Sequence, residues 1–190
     1  MLESLVYLVI LWYNSSIDFI KIMPSKNSSS ADNQQERLKM VGWIVGYVDG
    51  EGCFSVSLFR NKTTKYGWQV FPEFVVTQGE KSKKSLEILL KYFSCGKIYV
   101  NRRSDNHREY IYRYCVRSKE DLTKKVIPFF TKNQLKTAKK KDFKIFAKIV
   151  AMMSKNVHAE IKGFKKIAKM IEQMNRKKSS KFLESSETKR

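Results

Sequence analysis

Apolar residues change their spacing several times along this chain, and each change marks a new element. Leu38, Val41, Ile44, Val45 and Val48 recur every three or four positions, which predicts a helix over 34–49. Over 53–60 the period drops to two, with Phe54, Val56 and Leu58 on one face and Ser55, Ser57 and Phe59 on the other, the mark of a half-buried strand. A second strand is predicted over 69–78. Helical spacing then returns over 81–93, where Leu86, Leu89, Leu90 and Phe93 form the buried stripe and Gly96 follows as a stop. Strands over 98–102 and 110–116 flank SDNH turn chemistry. Ser118 and Asp121 resemble a capping box that opens a helix ending near Phe130. Two last helices, over 137–153 and 158–175, carry the stripes Phe143, Phe146, Ile149, Val150 and Ile161, Phe164, Ile167, Ile171. The order α-ββ-α-ββ-α-α-α predicts an α+β domain whose helices cover one face of a four-stranded antiparallel sheet and leave the other face free.

The ends read differently. Residues 24–33, PSKNSSSADN, have linker composition, and Ser30, Asp32 or Asn33 could cap the helix that follows. We therefore expect a poorly ordered extension over 1–33, the domain over 34–175, and a mobile, charged, serine-rich tail over 176–190. The apolar run over 5–13 is broken by Asn14 and Asp18 well short of the roughly 20 residues a membrane span needs. It also lacks the basic start of a secretory signal, and no arginine precedes Arg37, against a transit peptide.

Charge narrows the class of partner. The 190 residues hold 38 lysines and arginines against 18 acids, a formal charge of +20, while 42% are hydrophobic and 13% aromatic. A folded basic domain is the consequence, and nucleic acid is the polyanion it suits better than a membrane surface. Cys53, Cys95 and Cys115 form no CxxC pair, which argues against a disulfide framework and a structural zinc site and for a reducing compartment. Two distant histidines, His107 and His158, leave little material for a histidine cage, so any metal here would sit on carboxylates.

The stretch Trp43 to Phe54, WIVGYVDGEGCF, contains Ile44-Val45-Gly46-Tyr47-Val48-Asp49-Gly50-Glu51-Gly52, which resembles the nine-residue signature of the LAGLIDADG homing endonucleases. PEFVVTQ at Pro72 to Gln78, the FSCGKI that ends the next helix and LKTAKKKDF at Leu135 to Phe143 resemble that family in the same order. The resemblance covers about residues 34–175 and places glutamate where the signature's name has aspartate, a change the family accepts. It implies a homodimeric, magnesium-dependent, site-specific DNA endonuclease of the single-motif type, encoded in an organellar or bacterial intron and not secreted.

The residues give this implication a physical basis. Gly42, Gly46 and Gly50 fall at i, i+4 and i+8, so one stripe of the helix has no side chains and a second helix can approach it closely. One such helix per chain means that the partner comes from a second chain, with Gly42, Ile44, Val45, Gly46 and Asp49 at the interface. A twofold contact would bring two copies of Glu51 together beside two negative helix ends, which favours a bound divalent cation, Mg2+ in preference. Metal-assisted phosphodiester hydrolysis is the reaction that follows.

By motif position Asp49 caps the helix end and braces the turn, while Gly50 offers its carbonyl to the metal. In the family a glutamine at Gln78 lies close to the active-site waters, and Lys139, with Ala138 as the alternative occupant, matches a basic residue that faces the phosphate. The free sheet face would read the target through Ser55, Ser57, Phe59, Gln69, Phe71, Glu73, Tyr99, Asn101, Arg103 and Arg113. Arg60, Lys62, Lys65, Arg102 and Arg108 suit phosphates. His158 and the cysteines read as structural. Two rival functions share the fold, an intron RNA maturase and a non-catalytic DNA-binding regulator, and Glu51 at the dyad argues against the second.

Overall fold

The computed structural model describes residues 30–101, 110–174 and 182–183. Helix α1, Ser30–Glu51, begins four residues before the expected start, so part of the presumed linker is helical. Ala31, Gln34, Gln35 and Glu36 are strong helix formers, and Asp32 sits in the first turn, where a negative charge meets the positive end of the helix. Residues 1–43 and 44–190 form separate compact units, and the elements below belong to the second.

Strands β1, Gly52–Arg60, and β2, Trp68–Gly79, pair antiparallel and match the predicted pair within a residue or so at each end. A 3-10 turn, Glu80–Ser82, leads into helix α2, Lys83–Phe93, which ends on Ser94 in the left-handed region. Strands β3, Lys97–Asn101, and β4, Ile111–Val116, complete the sheet in the order β1-β2-β4-β3, and β2 takes its second neighbour from β4. The predicted turn between them, with Arg102, Arg103 and Arg108, lies outside the described residues.

Ser118 accepts from the Asp121 amide as the capping pattern required, opening α3, Lys119–Asp121. The run continues through a wide π turn, Leu122–Val126, into α4, Ile127–Lys132. Pro128 has no amide proton for the turn before it, which accounts for the widening directly upstream. Helix α5, Lys139–Ser154, a 3-10 turn, Val157–Ala159, and α6, Ile161–Ile171, close the helical layer. None of the described helices is long and apolar enough to cross a membrane.

Even-numbered strand residues face the helices. Phe54 is 1% exposed, stacks on Phe74 at 5.0 Å between ring centroids, and meets the edges of Phe130 and Phe143. This aromatic core fixes the sheet against α4 and α5. Within the stretch expected as a tail, Phe182 is buried, its ring 4.7 Å from that of Phe164 and 5.8 Å from that of Trp68.

Candidate functional site

Helix α1 ends in an electrostatically awkward way. Its last turn carries Asp49 and Glu51 and no basic residue, beside carbonyls that no later helical amide can satisfy. The compensating cation arrives from 90 residues away. Lys139, the first residue of α5, donates through Nζ to the carbonyl of Asp49 at 2.8 Å, to that of Val48 at 3.4 Å, and to the Gly50 carbonyl. The lysine expected to face the phosphate thus has its ammonium held on the end of the motif helix, and the Gly50 carbonyl assigned to metal accepts from it.

Asp49, expected to cap the helix end and brace the turn, instead holds the loop that precedes α5. Its carboxylate accepts from the Lys136 amide at 2.6 Å, the Thr137 amide at 3.2 Å and the Thr137 hydroxyl at 2.8 Å. Partial burial alone would raise its pKa, but these donors and the nearby Lys139 outweigh it and hold the carboxyl below the usual aspartate range. Both carboxylate oxygens of Asp49, a residue expected at the subunit interface, are thus engaged with the loop that precedes α5.

Ile44, also expected at the subunit interface, does not reach the surface of its own chain. It is fully buried with Val48, one turn apart, in the core of its own chain. Gly42, Gly46 and Gly50 are exposed, Val45 is half-buried, and a Cβ built on any of the three glycines meets nothing within 4 Å. The stripe of missing side chains is real, and among the described residues nothing packs on it.

Glu51 is exposed, at the very end of α1. One turn earlier on the same face, Tyr47 shares a hydrogen bond of 2.5 Å with Ser85 of α2 and bonds the side chain of Gln78 at the end of β2. Burial pushes its phenol pKa up, against the two hydrogen bonds, and the Glu51 charge adds to the rise. Tyr47 thus ties the end of β2 to the motif helix one turn before Glu51.

On the free sheet face Ser55, Gln69 and Phe71 are half-buried, while Ser57, Phe59, Tyr99 and Asn101 are exposed. Gln69 is already engaged, accepting from Asn61 at 2.7 Å, and Phe59 packs edge-on to Phe71. Arg60 lies over the Trp68 ring at 4.9 Å, and Lys62 and Lys65 are exposed in the hairpin turn. Glu73 corrects an expectation: at 8% exposure it cannot meet a base, because its two oxygens receive Arg117 Nε at 2.7 Å and Arg113 Nη2 at 3.1 Å. Arg113 lies on this face as expected. Burial, with the Glu73 charge beside it, pushes the Cys115 thiol up to about 11, and burial likewise raises Cys53 and Cys95. His158 is half-buried, with its pKa lowered by burial and by Lys119, in keeping with a structural role.

The family model described as LAGLIDADG endonuclease matches residues 44–150, from the motif helix to the middle of α5. The chain belongs to the LAGLIDADG endonuclease family. Among solved structures, that of the homing endonuclease I-TnaI superposes with a TM-score of 0.70 at 38% identity, covering 79% of this chain and 97% of that one. The meganuclease I-SmaMI bound to uncleavable DNA superposes at 0.66 with 28% identity over 73% of this chain and 45% of its own. Probable intron-encoded endonuclease 2 of Neurospora crassa is 33% identical over 126 residues, 66% of this chain. The chain spans about a quarter to a third of the length of the first curated relatives it matches.

Two residues of this LAGLIDADG site escaped the sequence reading although signals for them exist. Tyr47 stands four residues before Glu51, hence on the same side of the helix. Arg117 continues the odd-numbered face of β4 beyond Arg113 and Cys115, one residue past the last ladder pair, Phe74 with Val116.

Proposed function

We propose that the protein is a site-specific double-strand DNA endonuclease, acting as a homodimer with a divalent cation, magnesium in preference, in the manner of an intron-encoded homing endonuclease. The observation that carries this reading is an exposed carboxylate, Glu51, at the end of a helix whose exposed stripe is glycine. A bare stripe that the described residues leave open suits a second copy of the same helix, and a twofold pairing would bring two Glu51 carboxylates near each other. I-SmaMI and I-LtrWI, both solved with DNA, share this fold, which supports duplex DNA as the partner of the free sheet face.

The fit to a cation rests on Glu51 and its symmetry copy. Among the described residues no group of three or more His, Cys, Asp or Glu could hold a metal within one chain. One carboxylate per subunit, with water and phosphate oxygens for the other positions, is a donor set that magnesium accepts. When bound, the cation would supply Lewis-acid assistance to phosphodiester hydrolysis.

The chain's own residues define the rest of the site. Lys139 and Asp49 lock the last turn of α1, so that Glu51 leaves a fixed support. The Lys139 ammonium places positive charge beside the position of a scissile phosphate, where it lowers the cost of bringing an anion to two carboxylates. Tyr47 bonds the side chain of Gln78 at the end of β2, an amide able to orient a water by hydrogen bonding.

Purified protein incubated with a plasmid carrying the candidate intron-insertion site should linearise it with magnesium and leave it intact with chelator. Glu51→Gln should still shift the labelled target while leaving it uncut. Normal cleavage by that variant would refute the assignment.

A further inference from the structure

On the reading that this sheet face meets duplex DNA, we propose that Arg117 is a guanine-specific reader, held in its reading geometry by Glu73 before DNA arrives. Arg117 and Arg113 share one carboxylate, whose side chain is only 11% exposed while each arginine keeps 39%. Exposed ion pairs order side chains poorly, but a nearly buried carboxylate that receives a guanidinium on each oxygen is a fixed anchor.

The part of the guanidinium that Glu73 takes decides what remains. The 2.7 Å bond uses Nε, on the side edge of Arg117, and among the described residues no hydrogen bond engages Nη1 or Nη2. That end is the two-donor fork that matches O6 and N7 of guanine in the major groove. Aromatic rings confine the plane as well: the guanidinium carbon lies 4.9 Å from the centre of the Tyr99 ring and 5.6 Å from that of Phe71.

Arg113 is held through Nη2 and so has one end donor already committed, which leaves it a poorer fork. Entropy separates this arrangement from an ordinary phosphate contact. A backbone phosphate accepts from many directions and needs no fixed plane, whereas a coplanar pair of base acceptors rewards a donor pair immobilised in advance. Glu73 is then a positioning residue, which explains why an acid lies at the centre of a face otherwise suited to a polyanion.

The test uses the full chain and a library of duplexes with randomised sequence, binding being selected in chelator so that nothing is cut. Wild type should enrich guanine at one base position per half-site. Arg117→Ala should lower that preference about ten- to a hundredfold and leave the other positions unchanged. Glu73→Gln should weaken the same preference a few-fold and, beyond it, disturb only the contact that Arg113 makes, since both arginines share this carboxylate. Arg117→Lys, which keeps a cation beside Glu73 but not the planar fork, should show the loss at the same position in smaller measure if the alanine variant does not fold. An equal loss of affinity for every sequence would make Arg117 a phosphate contact, and unchanged base preferences with only a lower melting temperature would make the cluster structural. Either result would overturn the guanine assignment alone. A wild-type protein that enriches no sequence would overturn the DNA reading and this assignment together.

Discussion

Gly46→Ala separates what the chain needs from what a pair of chains needs. Gly46 is exposed on α1, and a Cβ there would meet nothing within 4 Å. Within one subunit, glycine in a helix interior costs about 0.5–1 kcal/mol relative to alanine. If that were the whole account, the variant would be more stable by about that amount, and its melting temperature would rise by about 1–4 °C for a chain of this size. In a dimer packed glycine to glycine, each new Cβ meets the partner's backbone, and overpacking costs about 1–3 kcal/mol at each copy. Two copies make at least about 2 kcal/mol, or about a thirtyfold weaker dimer. Sedimentation over a concentration series reads the second effect, and thermal melting at a dilution where the protein is monomeric reads the first. The expected result is a monomer of equal or higher stability joined to a weakened dimer. A variant that dimerises like wild type, or a dilute monomer that melts lower, would refute the reasoning.

Two further changes probe the support of the site and its core. Asp49→Asn should cost roughly 1 kcal/mol at pH 7, the scale of a lost cap at a partly exposed position. The folded-state pKa of Asp49 is depressed, so its stabilisation is present above the unfolded value, about 3.9, and fades as pH falls through the lower folded value. Melts of both proteins at pH 7 and near pH 3 should therefore converge in acid, and a gap that is constant with pH would contradict the assignment. Phe54→Ala removes the ring in contact with Phe74, Phe130, Phe143 and Phe146 and should cost about 3–5 kcal/mol, a fall in melting temperature on the order of 10 °C followed by circular dichroism.

Much of the architecture was written in local spacing. Strand alternation placed Phe54 inward and Ser55 outward, and the Ser118 cap marked its helix correctly, because both depend on neighbours within a few residues. The start of α1 was misread because serine, aspartate and asparagine suggest a linker by composition, while the helix formers beside them carry the turn. Ile44 shows the limit of a motif: the signature contains both a core stripe and a glycine stripe, and only the phase of the folded helix assigns Ile44 and Val48 to the first. The duties of Lys139 and Glu73 were not legible, since each depends on partners about 40 to 90 positions away that topology alone brings near.

The central claim is that one carboxylate from each of two identical chains is needed to cut both strands. Mixing wild type with Glu51→Gln before adding target and magnesium tests it most directly, because exchange of subunits creates heterodimers with one acid. Nicked circular DNA should accumulate as the proportion of variant rises, with linear product falling toward the share of wild-type homodimer. Linear product that falls only in proportion to the wild-type chains, with no nicked species, would contradict a shared active site.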